Sequence, residues 1–335
     1  MDDMTPDNFE RKTTGSGSSP MVSTSPVPRF DPATAARQRR GFRLATLGLV
    51  LGFLLPLWNL AGFAAGSELY SYILLIPCIS FYLVWKERRR PSSGFLPARG
   101  MTAGFLTAGS MLLLIYWLAL RPRLKLFEVD YLAVMTIAFL LLFFGVCGWF
   151  LGRDFLRTNA FALGFLVFMV PIPAVAITWI DSALQHGSAV VVRGLFTISG
   201  TPFLQDGLTF QLPGITIQIA PECSGIHSTL VLLITSLLAG HFFLRAAWKR
   251  ALFILAVIPL ALLRNGFRVF TIGELCVHVG PHMINSPIHH KGGPLFFALS
   301  LIPLFLLLVV LIKSERAGGR AISKTLENSN PRPPE

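Results

Sequence analysis

The chain has 335 residues, 53% of them hydrophobic and only 14% charged, with a mean hydropathy of +0.62 and a formal net charge of +12. A soluble domain carries about a quarter charged residues, so an ordinary soluble globule is excluded. The lysines and arginines fall in short runs between apolar stretches, which is the positive-inside pattern of a membrane protein and not a nucleic-acid-binding surface.

Residues 1–36 are rich in Ser, Thr, Pro and Gly. They cannot bury enough apolar surface to fold, which predicts a disordered tail. No apolar signal-peptide core follows Met1, so the first membrane helix is expected to target the chain. Residues 37–315 are expected to form one all-α polytopic bundle, and 316–335 a second disordered tail. A span needs about 20 apolar residues. That length rule predicts about eight spans, at 43–65, 68–85, 101–120, 130–151, 159–178, 223–244, 250–271 and 293–312.

Loop charge orients them. Arg37, Arg39, Arg40 and Arg43 precede the first span, and Lys86, Arg88, Arg89 and Arg90 follow the second. Arg153 and Arg157 follow the fourth, Arg245, Lys249 and Arg250 separate the sixth and seventh, and Lys313, Arg316 and Arg320 follow the last. One threading puts all of these, and both termini, in the cytoplasm. Only Arg121, Arg123 and Lys125 dissent. The outer side then receives 66–67, 121–129, 179–222 and 272–292. Within the long 179–222 connection, Trp179 to Phe196 reads as an interfacial helix. Leu208, Phe210 and Leu212, then Ile215, Ile217 and Ile219, alternate with polar residues about Pro213-Gly214, which predicts a short β-hairpin.

This threading brings three reactive residue types to one depth on consecutive spans. Cys223 opens the sixth span behind Pro221. A helix N-terminus offers free N–H groups and partial positive charge, both of which favour a thiolate. The alternatives are a packed cysteine or a disulfide with Cys276. The segment Leu263-Arg264-Asn265-Gly266-Phe267-Arg268 places Asn265 and Arg268 on one helix face. Arg268 can hold a thiolate or an oxyanion, or can snorkel to the interface. Arg264 is the better candidate to snorkel or to support Arg268. His289 and His290 precede the eighth span and can exchange a proton near neutrality. His227, a turn after Cys223, is a weaker base candidate. His278, His282, His289 and His290 share a loop, but no HExxH and no suitable carboxylate accompany them, so no metal and no cofactor are expected.

Three blocks resemble the signatures of the exosortase/archaeosortase family. They are Ala220-Pro221-Glu222-Cys223-Ser224-Gly225-Ile226, Asn265-Gly266-Phe267-Arg268, and His289 four residues before Gly293 with Phe296-Phe297 beyond. The resemblance covers about residues 40–315. It implies a membrane cysteine transpeptidase in which Cys223 is the nucleophile, Arg268 the oxyanion or thiolate partner and His289 the general acid/base. His290, Asn265, Ser224, Arg264 and His227 are possible alternates or supports. The implied partners are exported proteins with a C-terminal motif such as Pro-Glu-Pro, a membrane helix and a basic cluster. They would be cleaved at the outer face of the bacterial inner membrane and passed to an unknown acceptor. The rival readings are a transporter or channel using Arg268 and the histidines, a non-catalytic envelope scaffold, and a protease that only hydrolyses.

Overall fold

A computed structural model describes residues 32–87, 99–120, 127–220, 225–285 and 293–329. Helices α1 (Pro32–Gly52) and α2 (Leu54–Gly66) meet at a 67° bend beside Phe53. A 3₁₀ turn (Ser71–Leu75) leads into α3 (Ile76–Glu87). Helix α4 (Arg99–Ile115) packs along α5 (Glu128–Thr158). The apolar run of α5 stops at Gly152, whose φ of 83° no side-chain-bearing residue adopts cheaply. A short α6 (Ala160–Phe165), extended by a 3₁₀ turn, gives way to α7 (Ala174–Ser199). A small sheet follows, and then α8 (Ile226–Phe243), α9 (Ala247–Leu255), α10 (Val257–His278) and α11 (Gly293–Ser329).

Among the described residues, five helices are long and apolar enough to cross a bilayer, and up to seven if each of two bent pairs is one span. The eight expected spans are therefore not all present as straight helices. The second, 68–85, consists of a 3₁₀ turn and the 12-residue α3. That helix is about 18 Å long against a hydrocarbon core of about 30 Å. The fifth, 159–178, is interrupted by a 93° bend between Ala160–Met169 and Ala174–Ser199. Pro171 and Pro173 fall in the break. Each lacks an N–H and disfavours helical geometry in the residue before it. The stretch expected as an interfacial helix is thus the greater part of α7, which starts at Ala174 and runs 26 residues. At the C-terminus, α11 continues to Ser329, past the expected start of a disordered tail at 316.

The alternating segment forms a three-stranded antiparallel sheet in the order β1 (Leu204–Asp206), β2 (Thr209–Leu212), β3 (Ile215–Gln218). Two strands were expected and three are found. Phe210 pairs with Ile217 and Leu212 with Ile215, so these four apolar side chains share a face. That face joins Val192 and Phe196 of α7 and Val269 of α10 in one buried cluster. A second cluster joins Leu232 of α8, Phe253 of α9, Val257 of α10 and Leu304, Leu308 and Leu311 of α11. Helix α10 belongs to both. Outward faces carry large apolar side chains, such as Leu55, Trp179 and Ile198, as expected where lipid is the solvent.

The α7–α10 crossing depends on small residues, the usual way membrane helices approach closely. A Cβ on Gly266 would sit 2.5 Å from Val191 Cγ1 and 3.3 Å from the Ser188 carbonyl oxygen. Gly266→Val is expected to destabilise the detergent-solubilised protein by about 1–3 kcal/mol, the usual cost of overpacking. Gly194→Ala, at a helical position on α7 with nothing within 4 Å, should be neutral or slightly stabilising. Thermal unfolding of the two variants beside wild type checks this, and equal midpoints would refute it.

Candidate functional site

One turn of α10 gathers the polar contacts between the last helices. Asn265 is 3% exposed, and its Nδ2 donates to Ser188 Oγ at 3.0 Å. Ser188 is itself fully buried on α7. Next to it, Arg264 is 8% exposed and points inward to α8. Its Nη2 donates to the Gly225 carbonyl at 3.1 Å and to Thr229 Oγ1 at 3.3 Å. Thr229 Oγ1 in turn donates to the same carbonyl at 2.8 Å.

Gly225 is the N-cap of α8, in the left-handed region at φ 70°. Its place leaves no room for a side chain, since a Cβ would lie 2.7 Å from Arg264 Nη2 and 3.2 Å from Asn265 Oδ1. The first turn of α8 is thereby pressed against the Asn265 turn of α10. Of the two tasks expected for Arg264, snorkelling is excluded by its inward, bonded position. Its second terminal nitrogen, Nη1, is buried with no partner among the described residues.

Arg268 lies one turn further along α10 and is half-buried. Two guanidiniums a turn apart and the N-terminal end of an 18-residue helix make this region electropositive. Among the described residues, no carboxylate lies within ion-pair distance of Arg264. Such a place favours a thiolate, a carboxylate or a developing oxyanion.

Cys223, Ser224, His289 and His290 lie outside the described residues. Their anchors do not. Ile219 is buried in the same cluster as Val269 of α10, and its N–H extends the sheet ladder to the Leu208 carbonyl at 3.0 Å. Gly225 is docked on Arg264. The link that contains Cys223 is thus tied at both ends to the 264–269 stretch, and Cys223 is two residues from Gly225, about 7 Å of chain at most. On the other side, Phe296 of α11 meets Phe267 edge-on with ring centroids 6.2 Å apart. The start of α11, four residues after His289, is therefore held near Arg268's neighbour. His227 is half-buried in the first turn of α8.

His278 belongs to a separate polar cluster. Its Nε2 is 3.0 Å from Glu274, whose carboxylate also accepts from Ser199 Oγ at 3.1 Å and Thr201 Oγ1 at 2.5 Å. This knot ties the end of α7 to α10 at Glu274, about 9 Å along the axis from Arg268. Sequence reasoning missed Ser188 and Thr229. Ser188 lies between Gly187 and Ala189, and this run of small residues just before Val190, Val191 and Val192 was the available signal.

The fold and this seam define a polytopic helical membrane protein with a buried cationic site between its last helices. A family model for transmembrane exosortases matches residues 57–306, three-quarters of the chain, and includes all three blocks. The chain belongs to the transmembrane exosortase family. Membership points to a membrane transpeptidase acting in protein sorting. No curated protein and no solved structure matches it.

Gly225→Ala combines backbone strain with contact on Arg264. Gly200→Ala carries similar strain at φ 75° but meets nothing within 4 Å. Both are expected to lose about 1 kcal/mol from strain, and Gly225→Ala measurably more. Denaturation midpoints of the two variants, compared directly, test the Arg264 contact. Equal losses would show that the contact contributes nothing.

Proposed function

We propose that the protein is an integral-membrane cysteine transpeptidase that cleaves the C-terminal sorting signals of exported proteins. The observation that supports this best is the double anchoring of the Cys223 link, at Ile219 and at Gly225, on the helix that carries Arg264 and Arg268. The site faces the periplasm, both termini are cytoplasmic, and the membrane is the bacterial inner membrane. This orientation rests on the charges of the loops.

In this reading Cys223 is held as a thiolate by the helix N-terminus and the adjacent guanidinium charge. It attacks the scissile carbonyl of the substrate, and the oxyanion so formed is met by Arg268, with Arg264 supporting from the α8 side. Collapse breaks the C–N bond. His289 gives its proton to the departing amine, and the substrate's new C-terminus is left as a thioester on Cys223. The imidazole then takes a proton from an acceptor amine or hydroxyl, which displaces the thiolate. His290 adjoins His289 and is the alternate for this task. Asn265 positions Arg264 and Arg268 through its bond to α7, and Ser224 and His227 flank the nucleophile. Substrate chains are those implied by the family resemblance, with a short motif, a membrane helix and a basic cluster. Strand β3, at the edge of the sheet, leads toward Cys223 and offers main-chain hydrogen bonds to an extended peptide.

The test is mass spectrometry of a candidate substrate's C-terminus, made with wild type, Cys223→Ala and Arg268→Gln. Wild type should yield a C-terminus joined to an acceptor, or to water if the reaction is hydrolytic. Cys223→Ala should fold with an unchanged unfolding midpoint and leave the substrate whole. Arg268→Gln should lower turnover by about 10²–10³-fold, the usual loss on removing an oxyanion donor. Normal processing by Cys223→Ala would remove the proposed nucleophile.

A further inference from the structure

A second polar site lies at the opposite end of α8. There a cavity of about 200 Å³ is lined by Lys86 and Glu87 of α3, Thr158 and Asn159 at the α5–α6 junction, and His241 and Phe242 of α8, with Leu83, Phe161 and Ala162 completing the wall. That volume is far more than one water needs. From Ile226 to His241 the helix advances about 22 Å, so this cavity is separate from the cationic turn of α10.

Two of its polar groups, Asn159 and His241, are held in place and not fully used. Asn159 is 6% exposed, and its Nδ2 donates to the Phe155 carbonyl at 3.0 Å, which fixes the amide's orientation. Its Oδ1 is then buried with no hydrogen-bond partner among the described residues, and so is Nδ1 of His241. The His241 ring is stacked flat on Phe161, with centroids 3.7 Å apart and planes 1° apart. Lys86 Nζ stands 4.4 Å from the centroid of the Phe242 ring. A buried acceptor without a donor costs about 1–3 kcal/mol, and a native protein rarely leaves one unmet.

The surroundings identify the medium from which a ligand would come. Phe81, Tyr82 and Trp85 on α3, and Phe242 and Phe243 at the end of α8, are all large and exposed. Phe81 and Trp85 are spaced i, i+4 and share one outward face. Aromatic side chains gathered beside Lys86, Arg157 and Arg245 mark a membrane–water interface. A lipid headgroup can enter such a cavity while its chains stay against the apolar helices.

We propose that this cavity binds the headgroup of an amino-phospholipid, one carrying both a phosphodiester and a primary ammonium. The ammonium supplies the N–H that Asn159 Oδ1 lacks and lies beside the Glu87 carboxylate. The phosphodiester takes donors from Lys86 and Thr158. Such a zwitterion offers one charge of each sign to the neighbouring Lys86 and Glu87 side chains. A choline headgroup has the same charges but no N–H to donate, and a glycerol headgroup has no cation.

The full chain is delipidated in detergent and placed in nanodiscs of equal phosphatidylethanolamine and phosphatidylcholine with identical acyl chains. Lipid that stays bound on release is counted by native mass spectrometry. Wild type should retain phosphatidylethanolamine over phosphatidylcholine about tenfold, the worth of one hydrogen bond to a charged group. Asn159→Leu should bring that ratio close to one, and Lys86→Gln should lower retention of both lipids. Equal retention by wild type overturns the proposal, and that measurement decides even if Asn159→Leu does not fold. A parallel arm adds excess phosphoethanolamine. Retained lipid supports a membrane-borne ligand, whereas replacement of the lipid by the soluble compound overturns that source. The readout is independent of peptide cleavage, so its failure and the failure of the transpeptidase reading are distinguishable.

Discussion

The arrangement of the last helices depends on a single turn of α10. Arg264 holds the cap of α8, Asn265 holds α7, and Gly266 leaves the space in which α7 crosses. In lipid no water competes for these groups, so a buried donor or acceptor that the protein does not meet is costly. Double-mutant cycles within a helical membrane protein put an interhelical hydrogen bond at only about 0.6 kcal/mol on average. The value of this turn is therefore less in its strength than in its geometry. It fixes the rotation of three helices at one depth of the bundle. The Phe267–Phe296 contact adds α11 to the same depth.

Much of this organisation is written locally. The apolar run of α5 ends where Gly152 breaks the helix, and the fourth span ends there in the sequence reading too. The alternation on both sides of Pro213-Gly214 announces β2 and β3, because period two is a property of each strand alone. Strand β1 is different. Leu204-Gln205-Asp206 has no apolar alternation, and its strand character comes from pairing with β2. The expected span count exceeds the five to seven candidates among the described residues for a related reason. A length rule sums hydropathy, so it passes through Pro171 and Pro173 and reads the 3₁₀ turn and α3 as one helix. Those breaks concern backbone hydrogen bonding, which hydropathy does not register.

The candidate site was legible in a similarly uneven way. The Cys-Ser-Gly, Asn-Gly-Phe-Arg and His blocks stand out in the sequence because unusual residues sit at expected span ends, but Cys223, Ser224, His289 and His290 lie outside the described residues. Gly225 stands in the Cys-Ser-Gly block, and the groups that leave no room for a side chain there are Arg264 and Asn265. Ser188 left almost no trace. It lies some 80 residues from Asn265, on a helix whose own pattern does not need it, and only the crossing gives it a task. Arg264 shows the limit of local reasoning most directly. From its position alone, snorkelling is the economical choice for an arginine near a span end, and only the docked Gly225 carbonyl shows why it turns inward.

Burial of charge in this protein takes two forms, and the contrast between them bears on function. At the α8–α9 corner, Lys249 is 6% exposed and its Nζ donates to Ser314 Oγ at 3.1 Å. Beside it, Glu315 accepts from the backbone N–H groups of Arg245 and Ala246, satisfying the open end of α9. Each of these charges has a structural partner, and the result is a tied corner. Arg264 is also buried, yet one of its terminal nitrogens has no partner among the described residues, and a second guanidinium stands one turn away. A structural role for Arg264 needs only Nη2, which holds α8. The unused donor is an uncompensated cost that packing does not explain. It is met if an anionic group occupies the space beside the α8 cap.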